Sequence, residues 1–255
     1  MSTIRIERSD DVAILRLDKG RGNAIDEALV EDLLGVVPEL AADAGVSGVL
    51  LASAHPKLFC PGLDLVGLVE LDRRAMQRFM LRFSEAMGAL YGLSKPVVAA
   101  VNGHAVAGGC ILALTADWRV LKRGAQIGLN EVKVGVPLPW SVATLLRASV
   151  PPQSLARIAL LGRNFADEEA VAAGLADEIV EAEGFEAACI ARLQELTEKD
   201  ATALARTKSY LRRGVLAEME AREGELMQEW LDSWFSESTR WRIRRIVDGM
   251  SKPRA

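Results

Sequence analysis

Val101–Ala116, VNGHAVAGGCILALTA, is the stretch whose reading decides the fold. It begins as the end of an apolar strand, Pro96-Val97-Val98-Ala99-Ala100-Val101. It turns through Asn102-Gly103 and Gly108-Gly109 and opens an apolar helix, Cys110-Ile111-Leu112-Ala113-Leu114. A strand that turns through glycines into a helix leaves backbone N–H groups without partners, at the positive end of the helix dipole. Such a turn can hold an anion or the developing negative oxygen of a carbonyl. It can equally be a tight turn that only packs a helix on a strand, because short glycine motifs recur by chance.

Working outward, the same strand–helix alternation recurs. Ile4–Arg8 and Val12–Leu17 alternate around Ser9-Asp10-Asp11, which predicts a hairpin. Lys19 to Asn23 is a loop, and Asp26 caps a helix with Leu29, Leu33, Leu34, Val37 and Leu40 at helical spacing. Ser47–Ser53 is apolar and follows a helix, as a buried parallel strand does. After the loop His55–Leu65, a helix is expected from about Asp72 to Leu90, with Met76, Phe79, Met80, Phe83, Met87 and Leu90 on one face. Trp118–Leu121 is read as a strand and Gln126–Val136 as mostly extended, ended by Pro137 and Pro139. Helices follow over Trp140–Ala148 and Gln153–Leu161, then a short one capped by Asp167, then a strand at Ala176–Val180. Beyond Gly184 the pattern is helical and charged. The expectation is an α/β core of parallel strands with a helical C-terminal region, split at residues 1–195 and 196–255. Loops at the carboxyl ends of the strands carry the site in such folds.

Composition narrows the function. The chain has 255 residues, half of them hydrophobic, which is enough for one large core. A net charge of −4 argues against nucleic-acid binding. No segment approaches the ~18 apolar residues of a membrane span, and MSTIRIERSD lacks a signal core. Cys60, Cys110 and Cys189 lie far apart and are odd in number, as expected of free thiols in the cytoplasm. Trp230, Trp234, Phe235 and Trp241 crowd the last helices and suggest a buried contact, either with this chain's own core or between subunits. Arg240, Arg242, Arg244, Arg245, Lys252 and Arg254 make the terminus basic, which is either a solvated face or a site for a phosphate-bearing ligand.

Two loops follow apolar strands, Phe59-Cys60-Pro61-Gly62-Leu63-Asp64 and Ala105-Val106-Ala107-Gly108-Gly109. Side by side they can aim two backbone N–H groups at one carbonyl oxygen, and one such donor is worth ~100- to 1000-fold in rate. Gly128-Leu129-Asn130-Glu131-Val132 sets one acid in an apolar stretch, where its pKa rises and it can act as a general base; the alternative is a surface glutamate. His55, Cys60, His104 and Cys110 match no common zinc spacing. Cys110 as a nucleophile would need His104 as its base, but cysteine more often serves as a buried hydrophobe. Neither a dinucleotide fingerprint nor a P-loop is present.

These motifs, together with Asn23-Ala24-Ile25, Ser94-Lys95-Pro96-Val97, Ala116-Asp117-Trp118-Arg119 and Gly162-Arg163-Asn164-Phe165-Ala166, resemble the crotonase (enoyl-CoA hydratase/isomerase) superfamily over about residues 4 to 180. The resemblance implies a spiral of ββα units, a homotrimer or dimer of trimers, and an acyl-CoA thioester substrate. It implies no metal and no cofactor beyond the coenzyme A of the substrate. Carried over, the oxyanion-hole donors are the N–H groups of Leu63 and Gly108. Asn23, Ala24, Ile25, Lys57, Phe59, Gly62, Asp64, Gly109, Ile111 and Trp140 are the expected substrate contacts. Hydratases of the family use two glutamates, one matching Glu131. The other falls on Ile111, where this chain departs from the pattern. The motifs look more like those of the mitochondrial-type Δ3,Δ2-enoyl-CoA isomerases, with Glu131 as single acid/base and Asp64 bonding its own loop. A hydratase and a catalytically silent acyl-CoA-binding protein are the alternatives.

Overall fold

The structure, a computed structural model, describes residues 2–20 and 22–251. Its strands are β1 (Ile4–Ser9), β2 (Val12–Leu17), β3 (Gly48–Ser53), β4 (Leu58–Cys60), β5 (Val97–Val101), β6 (His104–Val106), β7 (Trp118–Lys122), β8 (Gln126–Gly128), β9 (Asn164–Ala166) and β10 (Glu178–Val180). They form two sheets. The larger runs β1-β2-β3-β5-β7-β10 and the smaller β4-β6-β8-β9. Among the described residues, only the β1–β2 hairpin and the β8–β9 pair are antiparallel. Each of three successive units gives one strand to the large sheet, one to the small sheet, and then a helix. This is a ββα spiral, and a parallel sheet needs such crossovers.

The central strands β3 and β5 of the large sheet read as apolar throughout because both faces are covered. Ala13, Leu15, Leu17, Val49 and Leu51 face the main core, with the helices Glu27–Ala42 and Arg73–Tyr91. Val12, Ile14, Leu50, Val98 and Val120 face the opposite way, against Phe185, Cys189 and Leu193 of the Phe185–Thr197 helix. Asp26 and Asp72 cap the two core helices, accepting from the backbone N–H groups of Leu29 (3.1 Å) and Ala75 (2.7 Å).

Three expectations need correction. The segment after Gly128 is not extended: Glu131–Val134 forms one turn of helix, closed by Gly135 in the left-handed region at φ +103°. Asp167 does not cap the helix that follows it. It is that helix's first residue, and its carboxylate accepts from Gly124 N–H (2.8 Å). The small sheet, with β4, β6 and β9, was absent from the sequence reading.

The 34-residue helix Ala201–Trp234, about 50 Å long, crosses the Trp140–Ser149 and Arg73–Tyr91 helices. It is fastened by a buried charge cluster. Lys208 Nζ donates to Asp117 Oδ2 (2.6 Å) and to the Lys95 carbonyl (2.7 Å). Arg212 meets Asp117 Oδ1 (2.7 Å) and donates to the carbonyls of Tyr91, Thr115 and Ala116. The last helix, Glu237–Ser251, contacts the Leu65–Leu68 turn, which follows β4, and the Glu131 turn, which follows β8. Of the basic terminal residues, Arg240 stands over Phe235 and Arg245 over Trp241; Lys252 and Arg254 lie outside the described residues. Among the described residues, no helix is long and apolar enough to cross a membrane.

Candidate active site

Two loops from successive units meet at one cavity. Gly62, at φ +102°, gives its carbonyl to Ile25 N–H (2.8 Å), and Asp64 N–H donates to the Ile25 carbonyl (2.8 Å). That single parallel bridge skips Leu63, whose N–H finds no acceptor among the described residues. Gly108 opens the Gly108–Leu114 helix. No side chain caps it, and its N–H is likewise left without an acceptor. Ala107 just before it sits at φ +49°, a strained setting for a residue with a Cβ. The loops touch: a Cβ on Gly108 would lie 3.3 Å from Gly62 Cα and 2.8 Å from Ile25 Cδ1. Gly108 is therefore required by close approach.

Leu63 and Gly108 line a cavity of about 320 Å³ together with Glu131. Ala24, Asp64 and Ile111 line it too. Glu131 is half-buried as a residue, but its Oε2 is sealed from solvent and has no hydrogen-bond partner. Burial pushes its pKa up to about 7, although the backbone N–H groups of Glu131 and Asn130 favour the charged form. A carboxyl with that pKa exchanges protons readily near neutrality. Ile111, 3 % exposed, presents an apolar side chain at the cavity wall.

The other expected contacts are placed differently. Asn23 is buried and binds loops together: its amide donates to Ser53 Oγ (2.8 Å) and the Phe59 carbonyl (3.0 Å). Ile25 and Phe59 are core residues, and Lys57 is exposed on its loop. Gly109 is a packing glycine, since a Cβ there would be 2.0 Å from the Cys60 carbonyl oxygen. Gly62 precedes Leu63 but, like these residues, does not line the cavity. Trp140 is a correction. Its indole N–H donates to the Glu218 carbonyl (2.8 Å) and its ring lies between Arg147 and Arg222, so Pro139 forms the wall instead.

Residues that the sequence reading did not place at the site complete it. Met80 and Phe83 come from the Arg73–Tyr91 helix, and Trp230, Trp234, Ile246 and Met250 from the last two helices. Trp230 and Trp234 stack at 5.3 Å and are buried in their own chain, whereas Trp241 is exposed. The crowding of aromatics was the available signal; nothing in it said that a chain segment ~100 residues from Glu131 would fold back over it.

Other chemistry finds little support. His55 and His104 each spend Nδ1 as an acceptor for backbone N–H groups. Among the described residues, no three His, Cys, Asp or Glu side chains stand close enough to hold a metal. Burial pushes the Cys60 thiol up to about 12 and raises Cys110 as well, so neither is poised as a nucleophile.

Comparison with known proteins agrees with this geometry. The family profile described as enoyl-CoA hydratase/isomerase matches residues 7–244. A putative enoyl-CoA hydratase of Thermus thermophilus is 34% identical over 179 residues, 69% of this chain and 70% of the relative. The human mitochondrial enoyl-CoA delta isomerase 1 is 27% identical over 186 residues, 72% of this chain and 62% of the relative. The crystal structure of the human mitochondrial Δ3-Δ2-enoyl-CoA isomerase shares the fold, with TM-score 0.90 at 24% identity over 97% of this chain and 98% of that one. An enoyl-CoA hydratase from Mycobacterium ulcerans superposes with TM-score 0.82 at 26% identity, over 89% and 98% of the two chains. The ββα spiral is the crotonase fold, and the chain is an enzyme of the enoyl-CoA hydratase/isomerase family.

Proposed function

We propose that the enzyme shifts the double bond of a 3-enoyl-CoA to the 2-position, with Glu131 as its single acid/base. The observation that carries this reading is that a desolvated Glu131 and an apolar Ile111 line one cavity, whose other carboxylate, Asp64, stands 3.8 Å from Lys19 Nζ. Hydration needs water activated and a proton delivered to the α-carbon, work that the family's hydratases divide between two carboxylates. Isomerisation needs one proton removed and one returned, which a single carboxyl can do.

In the proposed reaction, the Glu131 carboxylate takes a proton from C2. The electron pair of that C–H bond moves toward the thioester carbonyl, giving a dienolate. The N–H groups of Leu63 and Gly108 hold the developing oxyanion, which they can do without giving up any other bond. The protonated Glu131 then delivers its proton to C4, and the electrons return to leave the double bond between C2 and C3. The pKa of about 7 suits both halves, since the group must be a base in one and an acid in the other. Asp64 Oδ2 lies 3.8 Å from Lys19 Nζ, and its side chain makes no cap on the Leu65–Leu68 turn, so the bond to its own loop expected of it is not seen; the proposed reaction gives it no proton to move. Coenzyme A enters as part of the substrate, with no further cofactor.

The second reading is a hydratase, favoured by the names of several relatives, including a short-chain-enoyl-CoA hydratase of Clostridium acetobutylicum at 27% identity. Turnover of 3-enoyl-CoA and 2-enoyl-CoA, side by side on purified protein, decides between them. Faster hydration of 2-enoyl-CoA than isomerisation of 3-enoyl-CoA would overturn the isomerase reading. Absence of both activities with retained acyl-CoA binding would favour a silent binder. The proposed assembly is a homotrimer or dimer of trimers in the cytoplasm, with the helices beyond residue 195 at its interface. Tyr210, Leu211 and Trp241 offer exposed apolar surface for it, and sedimentation measures the mass.

A further inference from the structure

The turn that carries Glu131 is too short to hold itself. A four-residue helix has few bonds of its own: Gly135 N–H (3.0 Å) and Val136 N–H (3.2 Å) share the Glu131 carbonyl, and Lys133 N–H donates to the Asn130 carbonyl (3.0 Å). Asn130 at its start makes no side-chain cap. Helices this short are not stable without tertiary support. On one side the support is the small sheet, through Ala107 N–H to the Gly128 carbonyl (2.8 Å). On another it is Gly162, where a Cβ would meet Val132 at 2.8 Å. At the C-terminal end it is Thr239, whose hydroxyl donates to the Gly135 carbonyl (2.9 Å).

Thr239 is 1 % exposed, and its side chain is pressed on the turn: a Cβ on Gly135 would lie 2.8 Å from Thr239 Oγ1. It stands in the first turn of the Glu237–Ser251 helix. Thr239, Ile243, Ile246 and Met250 follow one another at intervals of four, three and four, so they share one helix face. Ile243 is fully buried, while Ile246 and Met250 line the cavity. One face of one helix therefore touches both the turn that carries the acid/base and the space that the acyl tail would fill.

We propose that Thr239 is a positioning residue for Glu131, and that through its helix the acyl tail sets the rate of turnover. The first part rests on Glu131 as the acid/base and the second on the acyl-CoA reading above. Binding energy from a remote part of a substrate can be used at the reacting centre, in which case truncated substrates lose kcat and not only affinity. Here a long tail packs under Ile246 and Met250 and holds the helix, with Thr239, against Gly135. A short tail leaves that contact unsupported.

The test uses the full-length Thr239→Val protein with 3-hexenoyl-CoA and 3-dodecenoyl-CoA. Native kcat is expected to be higher for the longer substrate. Thr239→Val should lower kcat for the longer one by about five- to tenfold, as for one lost hydrogen bond, with KM little changed, and bring the two rates together. Thr239→Ser should restore both. An independent readout is the Glu131 carboxyl itself, titrated by carbon NMR: Thr239→Val should lower its pKa by about one unit or more as water reaches the turn. If the native protein isomerises neither substrate, the isomerase reading fails, and the NMR titration still decides the positioning role. If Thr239→Val does not fold, Thr239→Ala removes the same hydroxyl without adding bulk. A native kcat ratio, or an equal fall for both lengths, overturns the tail coupling. An unshifted Glu131 titration overturns the positioning role.

Discussion

Glu131 and Glu223 are both carboxylates withdrawn from water, and they are treated in opposite ways. Glu223, on the Ala201–Trp234 helix and 6 % exposed, is fully bonded. It accepts from Ser84 Oγ, from Ser141 Oγ (3.1 Å) and from the Ser141 backbone N–H (2.7 Å), which caps the Trp140–Ser149 helix. Glu131 has one oxygen buried with no partner at all. A buried carboxylate bonded at both oxygens is a fastening. One left unpaired is costly to the fold, and such a cost is expected where a group must bind and release a proton. The difference lies in the neighbours and not in the residue type.

The largest effect should come from Glu131→Gln, which keeps the size and removes the base. Turnover of 3-enoyl-CoA should fall ~100- to 10,000-fold with substrate binding retained. Native turnover in this variant would erase the distinction between the two glutamates. In the native protein, kcat/KM should rise with pH through about 7 as the carboxyl ionises, and that limb should vanish in the variant.

Gly108→Val comes next. Its Cβ meets Ile25 Cδ1 at 2.8 Å and crowds the loop that carries Leu63, so turnover should fall ~100- to 1000-fold in a folded protein. An unchanged rate would remove Gly108 from the mechanism.

Glu223→Ala should act on stability instead. It leaves the Ser141 N–H and two hydroxyls without their acceptor, a loss of about 2 to 4 kcal/mol in urea unfolding, with kcat changed by less than about threefold. A collapse of activity with stability intact would reverse the roles assigned above.

The smallest effect sharpens the same contrast from the other side. Glu131 has a folded pKa of about 7 against an ordinary value of 4.5, so the folded state holds its proton where the unfolded chain has lost it. Stability from this group is therefore fully present below pH 4.5 and lost as pH rises through 7. Glu131→Gln never ionises, so it should be more stable than native by up to about 3 kcal/mol above pH 7 and no different below pH 4.5. Equal stability at pH 8 would mean that the charge is solvated after all.

Glu223 carried no signal in the sequence, but much of the fold and part of the site were legible there, and the illegible part has physical causes. The long elements carry several turns or pleats of pattern, and Leu29 to Leu40 and Met76 to Leu90 fell on the expected faces. The small sheet did not declare itself because β4, β6, β8 and β9 are three residues each, too short for alternation to register. The Glu131 turn was misread for a related reason. Ile127, Val132, Val134 and Val136 favour an extended chain, and one helical turn set by tertiary contacts overrides them. Ala24, Leu63, Asp64, Gly108, Ile111 and Glu131 could be named from local motifs, and they share one cavity. Trp140 was misplaced because its neighbour Pro139 reaches the wall while its ring turns to Arg147 and Arg222. Trp230, Trp234, Ile246 and Met250 could not be assigned there, because a return over the site by distant helices leaves no local trace.

The cluster of Lys208, Arg212 and Asp117 has a consequence in time as well as in space. Arg212 closes three carbonyls of the core and Lys208 a fourth, all within the first third of the Ala201–Trp234 helix. Amide protons near these two residues can exchange with solvent only when the whole cluster opens. The stretch from Gly214 to Arg222 opens on a glycine, a weak point in a helix, and is tied more lightly, at Glu218, by the Trp140 indole N–H (2.8 Å) and the Arg147 guanidinium. Hydrogen exchange should therefore find a slow segment over residues 203–213 and a faster one over 214–221. The long helix would then be rooted at Lys208 and Arg212, its middle exchanging while the spiral beneath stays folded.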